Sequence, residues 1–129
     1  MKELSLSTAR RTEFLPIGAA VRAAAAELRV RDGWLAVFVP HTTAGVTINE
    51  GADADVAADL ERWLDRLVPW HGDYAHAEGN TAAHAKALLV GSAVRIPVVG
   101  GELRLGTWQE IFFCEFDGPR RRRVWVAAG

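Results

Sequence analysis

Near the N-terminus, Glu3-Leu4-Ser5-Leu6-Ser7 alternates polar and apolar side chains, the period-two pattern of a strand with one face in a core and one in water. After Pro16 the period changes. Ile17, Val21, Ala24, Ala25 and Leu28 share one stripe of an alanine-rich stretch, which predicts an amphipathic helix from Ile17 to Arg29. Asp32-Gly33 reads as a turn, and Trp34 to Val39 is an unbroken apolar run ended by Pro40, the pattern of a strand buried on both faces. His41 to Gly51 mixes Thr, Val and Ile with small polar residues, as a bent strand does. Asp53 or Asp55 then caps a helix whose stripe is Val56, Leu60, Trp63, Leu64 and Leu67 and which ends before Pro69.

Pro69 to Gly79 has no apolar periodicity and is expected to be an exposed loop, followed by a helix from Asn80 to about Leu89 that Gly91 stops. Ala93 to Val98, Glu102 to Leu105, Gln109 to Phe116 and Arg122 to Val126 are short strands separated by Val99-Gly100-Gly101, Gly106-Thr107 and Asp117-Gly118-Pro119. The predicted fold is α+β: a mixed, largely antiparallel, β-sandwich-like sheet with about three helices packed against it.

Length and charge narrow the possibilities. The 129 residues, 50% of them hydrophobic, suit a single domain spanning 1–129. Fifteen Lys and Arg against sixteen Asp and Glu give a net charge of −1, so no charge imbalance points to nucleic acid or an anionic membrane. The run Arg120-Arg121-Arg122-Arg123 either meets phosphate or alternates across solvated faces of a terminal strand. One cysteine, Cys114, allows no intramolecular disulfide and sits in the apolar run Ile111-Phe112-Phe113-Cys114, where a thiol packs as a small hydrophobe. With no apolar secretory leader and no stretch near the roughly 20 apolar residues of a membrane span, a cytoplasmic protein is expected.

The candidate chemistry is concentrated. His41, His71, His76 and His84 all lie between positions 41 and 84, together with Asn49, Glu50 and Asn80. Neutral imidazoles ligate Zn²⁺ and related divalent ions, and three at one site leave a position open for water or substrate. The alternative is that the histidines are solvated or packed residues, and His71 is assigned to that class. Glu50 beside Asn49 is either a general base or ligand, or a polar end that caps the following helix. Trp34, Trp63 and Trp125 fall on apolar faces and read as core or subunit contacts. Trp108, in Leu105-Gly106-Thr107-Trp108-Gln109, lies between strands beside a glutamine that can both donate and accept. No Gly-rich phosphate loop and no Gly-x-Ser-x-Gly elbow is present, so ATP-driven and nicotinamide chemistry lose support.

The ordered motifs His41-Thr42-Thr43-Ala44, Thr47-Ile48-Asn49-Glu50, Tyr74-x-His76, Gly79-Asn80-x-x-Ala83-His84, Leu105-Gly106-Thr107-Trp108-Gln109 and Asp117-Gly118-Pro119-Arg120 resemble the YjbQ-type family, also described as secondary thiamine-phosphate synthase enzymes. The resemblance covers nearly the whole chain. It implies a β-sandwich-like α+β fold, a homotrimer and a histidine pocket, with His41, His76 and His84 as ligands of a divalent metal. Zn²⁺ suits an all-histidine set, and Mg²⁺ suits the synthase reaction. It further implies Asn49 and Glu50 as catalytic residues and Asn80, Trp108, Gln109 and Arg120 as contacts to a small phosphorylated substrate. Two rival readings stay open: a metal-dependent hydrolase of a phosphorylated or ester substrate, and a non-catalytic trimeric module that binds a metal or small ligand.

Overall fold

The computed structural model describes all 129 residues. In chain order the elements are β1 (Lys2–Ser7), β2 (Glu13–Pro16), α1 (Gly18–Glu27), β3 (Gly33–Phe38), β4 (Ala44–Glu50), α2 (Ala54–Leu67), α3 (Thr81–Val90), β5 (Ala93–Val99), β6 (Glu102–Leu103), β7 (Gln109–Glu115) and β8 (Arg121–Ala128). They build two antiparallel sheets, a five-stranded one in the order β1-β8-β3-β5-β6 and a three-stranded one in the order β2-β7-β4. The α+β fold is as the sequence pattern predicts.

The central strand β7 shows how the layers are assembled. Successive side chains of a strand point to opposite faces. Ile111 and Phe113 enter one core with Leu35, Val37, Ile96, Val124, Val126 and the buried face of α1, while Phe112, Cys114 and Phe116 enter a second core with Phe14, Leu64, Ala83 and Ala87. The first core fills the space between the two sheets, and the second lies under α2 and α3. Cys114 is fully buried there, and burial pushes its thiol pKa up, so it packs as the hydrophobe it was expected to be.

The same kind of apolar run has a different fate in β3. Leu35, Val37 and Val39 are buried, but Trp34 is 45% and Phe38 41% exposed, so the strand is buried on one face and not on both. No helix covers the outer face of the five-stranded sheet there. Its aromatics cover each other instead: Phe38 stacks on Trp125 with centroids 5.9 Å apart, and the Arg95 guanidinium lies 4.8 Å from the Trp34 ring.

Other boundaries also moved. Glu13–Pro16 forms an edge strand that its four residues did not reveal, and the strand expected over Glu102 to Leu105 closes after Leu103. Asp53 is the cap of α2, its carboxylate accepting from the Asp55 N–H at 2.9 Å. That helix buries only Leu64 fully and leaves Trp63 half-exposed. It is fastened by charge: Glu61 takes both Arg10 nitrogens at 3.0 and 3.1 Å, and Asp65 pairs with the buried Lys86 of α3.

A close approach positions α3. A Cβ on Gly45 would stand 2.5 Å from the Gly91 carbonyl, which accepts from the Val46 N–H at 3.0 Å, and Gly91 itself has φ +96°. This contact lays the helix carrying His84 along the start of β4, next to His41.

Candidate functional site

At that junction lies an open cavity of ≈ 680 Å³, lined by the β3–β4 connection, the start of α3, the loop before it and the β7–β8 turn; only two of its 14 lining residues are hydrophobic. His41, His76, Asn80, His84 and Arg120, drawn from three separate stretches of the sequence, all line it, and His71 does not. Asn49, Glu50, Trp108 and Gln109 do not line it either. In the β4–β7 ladder Ala44 pairs with Glu115 and Glu50 with Gln109, so these four residues stand at the other end of β4. Six strand steps separate the two ends, roughly 20 Å at about 3.4 Å per residue.

Beneath the cavity is a closed polar network. Arg122 donates from Nε to Glu115 Oε1 at 2.8 Å and from Nη2 to Glu115 Oε2 at 2.5 Å and Thr43 Oγ1 at 2.8 Å. Thr8 donates to Glu115 at 2.8 Å, and the N–H groups of Phe116 and Asp117 complete the shell. Burial alone would raise the Glu115 pKa, but the Arg122 guanidinium, the Asp117 N–H and the Thr8 hydroxyl together hold it below the usual carboxylate value. Arg122 is therefore not on a solvated face of a charge run: its side chain is 3% exposed.

Above the network the groups are less satisfied. The His76 and His84 rings meet edge to face with centroids 5.7 Å apart, and His76 Nε2 stands 3.7 Å from Glu78. His41 Nε2 accepts from the Arg123 N–H at 3.0 Å, so the neutral ring carries its proton on Nδ1. Burial first, and then the charges of Arg122 and Arg123, lower the His41 pKa and keep it neutral. Asp117 accepts from Asn80 Nδ2 at 2.9 Å and from Arg120 at 3.2 Å.

Asn80 precedes α3 but makes no side-chain cap bond, and its Oδ1 is buried without a partner. The carboxylate of Asp117 only accepts, which fixes the amide with Nδ2 toward it and Oδ1 away. A residue suited to capping is thus spent on the cavity wall.

No three His, Cys, Asp or Glu side chains converge on one point. His76 and His84 adjoin, while His41 has one ring nitrogen engaged by Arg123. As arranged, the three histidines do not fit a resident metal. The cavity offers instead a guanidinium, imidazoles able to donate, and small hydroxyl side chains at Thr42, Thr43 and Ser92.

Spacing alone did not reveal Asp117, Glu115 or Arg122. Strand parity carries the signal for the last two: Glu115 is in phase with Ile111 and Phe113, and Arg122 with Val124 and Val126, which puts opposite charges on buried faces.

Residues 2–128 match the family described as UPF0047 protein YjbQ-like. The chain is 46% identical to the UPF0047 protein YugU of Bacillus subtilis, over 98% of this chain and 96% of that protein, and 36% identical to the UPF0047 protein YjbQ of Escherichia coli O157:H7, over 99% and 96%. Its structure is similar to that of an uncharacterised conserved protein of the same family from Clostridium acetobutylicum, with a TM-score of 0.98, 50% identity and full coverage of both chains. A conserved hypothetical protein from Thermus thermophilus superposes with a TM-score of 0.92 at 44% identity, again over the whole of both chains.

Proposed function

The chain belongs to the YjbQ-like UPF0047 family, and from that premise we propose that its histidine cavity binds a small phosphorylated molecule and carries out thiamine-phosphate-synthase-like transfer. The observation that supports this reading most is the gathering of Arg120, Asn80 and three histidines in one open polar cavity. Such a lining suits an anion with hydrogen-bonding groups and disfavours an apolar ligand.

In the reaction, the thiazole nitrogen attacks the methylene of a hydroxymethylpyrimidine diphosphate. A C–N bond forms, the C–O bond to diphosphate breaks, and the leaving group departs with the electron pair. Negative charge grows on the departing oxygen, where preorganised donors count most. Arg120 is the fixed cation, anchored by Asp117, and His76 and His84 supply N–H donors. Asn80 Oδ1 is an acceptor for an N–H or O–H of the organic part.

The hydrolase reading used Glu50 as base, and the length of β4 keeps Glu50 away from the cavity within one chain. Two further expectations belong to this proposal: assembly as a homotrimer, and residence in the cytoplasm, which the free buried thiol of Cys114 supports. No helix is long and apolar enough to cross a membrane.

The test is formation of thiamine phosphate from the two precursors, with calorimetric titration of pyrophosphate in parallel. Arg120→Ala is expected to weaken pyrophosphate binding by at least about ten-fold, about 1.4 kcal/mol, and His84→Ala to reduce turnover. Binding without turnover would favour the non-catalytic module. If the wild-type chain takes up neither pyrophosphate nor precursors, the proposal is wrong.

A further inference from the structure

Three guanidiniums lie over tryptophan rings, and two of them have a further partner. Arg95, over Trp34, donates from Nε and Nη2 to the Gly129 carbonyl at 3.0 and 2.7 Å, and Arg123, over Trp125, stands 3.7 Å from Glu3. Arg11 is different. Its guanidinium lies 4.2 Å from the centroid of the Trp70 ring, and its side chain makes neither an ion pair nor a hydrogen bond. A guanidinium held over a ring face is fixed in place while its in-plane N–H donors stay free, so Arg11 is a preorganised cation without an anion.

It faces an open cavity of ≈ 540 Å³ that shares no lining residue with the histidine cavity and has one hydrophobic residue among its seven. Two stretches of chain build the wall. Arg10, Arg11 and Thr12 come from the β1–β2 connection, which is tied to the β7–β8 turn by the Gly118 N–H donating to the Arg11 carbonyl at 3.2 Å. Trp70 and His71 open the loop whose far end carries His76 into the histidine cavity. His71, the one histidine outside that cavity, lines this one together with Arg11.

The acceptors around the cavity are already spent. Asp65, the only carboxylate in the wall, accepts from the Thr12 hydroxyl at 3.1 Å and pairs with the Lys86 ammonium, which is 1% exposed. Arg10 gives both terminal nitrogens to Glu61, and Glu61 also takes the Phe14 N–H at 3.0 Å. The Pro69 carbonyl accepts from the Tyr74 hydroxyl at 2.7 Å. Glu13, which takes the Ala9 N–H at 2.7 Å, lies outside the lining, as do Arg66 and Asp73. Within the wall and its direct partners the charges therefore cancel pair by pair, except at Arg11. Free donors on one fixed guanidinium, next to an exposed imidazole, suit an anion whose oxygens accept from both. The volume falls in the range of small-ligand sites, so the cavity has room for such a group and for the molecule that bears it.

We propose that this cavity is an oxyanion site, separate from the histidine cavity, in which Arg11, held on Trp70, and His71 bind the phosphate group of a small molecule. The site does not rest on the proposed function, because no residue that reads the anion here takes part there.

The test follows the indole N–H resonance of Trp70 by heteronuclear NMR, assigned through its loss in Trp70→Phe, while inorganic phosphate is added at constant ionic strength. Wild type and Arg120→Ala should show the same saturable shift, and Arg11→Gln should bind at least about ten-fold more weakly. Arg11→Lys keeps the charge but loses the planar fork and should fall between the two. Arg11 is exposed, so neither substitution disturbs the core. The site is overturned if the Trp70 signal fails to saturate, if chloride shifts it equally, or if Arg11→Gln binds phosphate as tightly as wild type. Loss of the response in Arg120→Ala overturns it as well, because the phosphate would then sit in the histidine cavity. An intact Trp70 response in a chain whose Arg120→Ala variant loses no pyrophosphate affinity keeps the oxyanion site and counts against the proposed function.

Discussion

Two polar clusters lie one above the other at the start of β4, and they differ in how completely their groups are paired. Below, Glu115 accepts from Arg122, Thr8 and two backbone N–H groups, out of reach of water. Above, His76, Arg120 and Thr42 are exposed, and Asn80 keeps a buried oxygen with no donor. The lower cluster has spent its hydrogen-bonding capacity on joining β1, β4, β7 and β8. The upper one has capacity left for a ligand. Arg122 and Arg120 are two residues apart, so residue type does not separate the structural role from the functional one; satisfaction does.

The largest expected effect comes from breaking the lower cluster. Removing one partner of a buried, hydrogen-bonded ion pair leaves the other charge uncompensated, which costs about 3–5 kcal/mol. Arg122→Met should lower stability by that amount in urea unfolding. The double variant Arg122→Met/Glu115→Leu should recover much of the loss, because no unpaired charge remains. Equal losses in single and double variants would show that the network is not a charge pair in energetic effect.

The next effect is a pH dependence shared by the two clusters. Both Glu115 and His41 have pKa values in the folded chain below their ordinary values of 4.5 and 6.5. In each case the unfolded chain binds the proton more readily, so stability falls as pH falls. The His41 contribution is complete above about pH 6.5 and is lost as pH drops through its folded pKa; the Glu115 contribution is complete above about pH 4.5 and is lost further down. Urea midpoints should therefore decline in two stages on acidification. His41→Gln should remove the first stage and leave the second. A variant that keeps both would mean that His41 titrates as it does in the unfolded chain.

The sequence makes one of these clusters easier to anticipate than the other. Four histidines crowded between positions 41 and 84 draw attention to the upper one, and an aspartate cap at Asp53 or Asp55 and the glycine stop at Gly91 are readable because local chemistry sets them. The lower cluster hid inside patterns with another ready meaning: Arg122 in a run of four arginines, and Glu115 at the end of an apolar run. The β3 and β7 runs look alike in sequence, and only the layer that covers a second face separates them. Placement of Asn49, Glu50, Trp108 and Gln109 also depends on register. Motif order says that these residues belong together, but not that β4 holds them a strand length from the histidines.

A smaller effect is expected at Asn80, where the clusters touch through Asp117. Truncation to Ala removes one hydrogen bond to that carboxylate, worth about 1 kcal/mol, but it also removes the unpaired buried Oδ1, whose burial carries a cost of similar size. The helix loses no cap, because the Asn80 side chain makes no cap bond. The two effects should nearly cancel, leaving stability within about 1 kcal/mol of wild type while pyrophosphate or precursor binding falls. Asn80→Asp is the sharper comparison. It retains an acceptor but places a carboxylate against Asp117, and should destabilise more than Ala does. If instead Ala costs several kcal/mol and binding is unchanged, Asn80 belongs with the buried network, and the boundary between the two clusters lies one residue nearer the solvent.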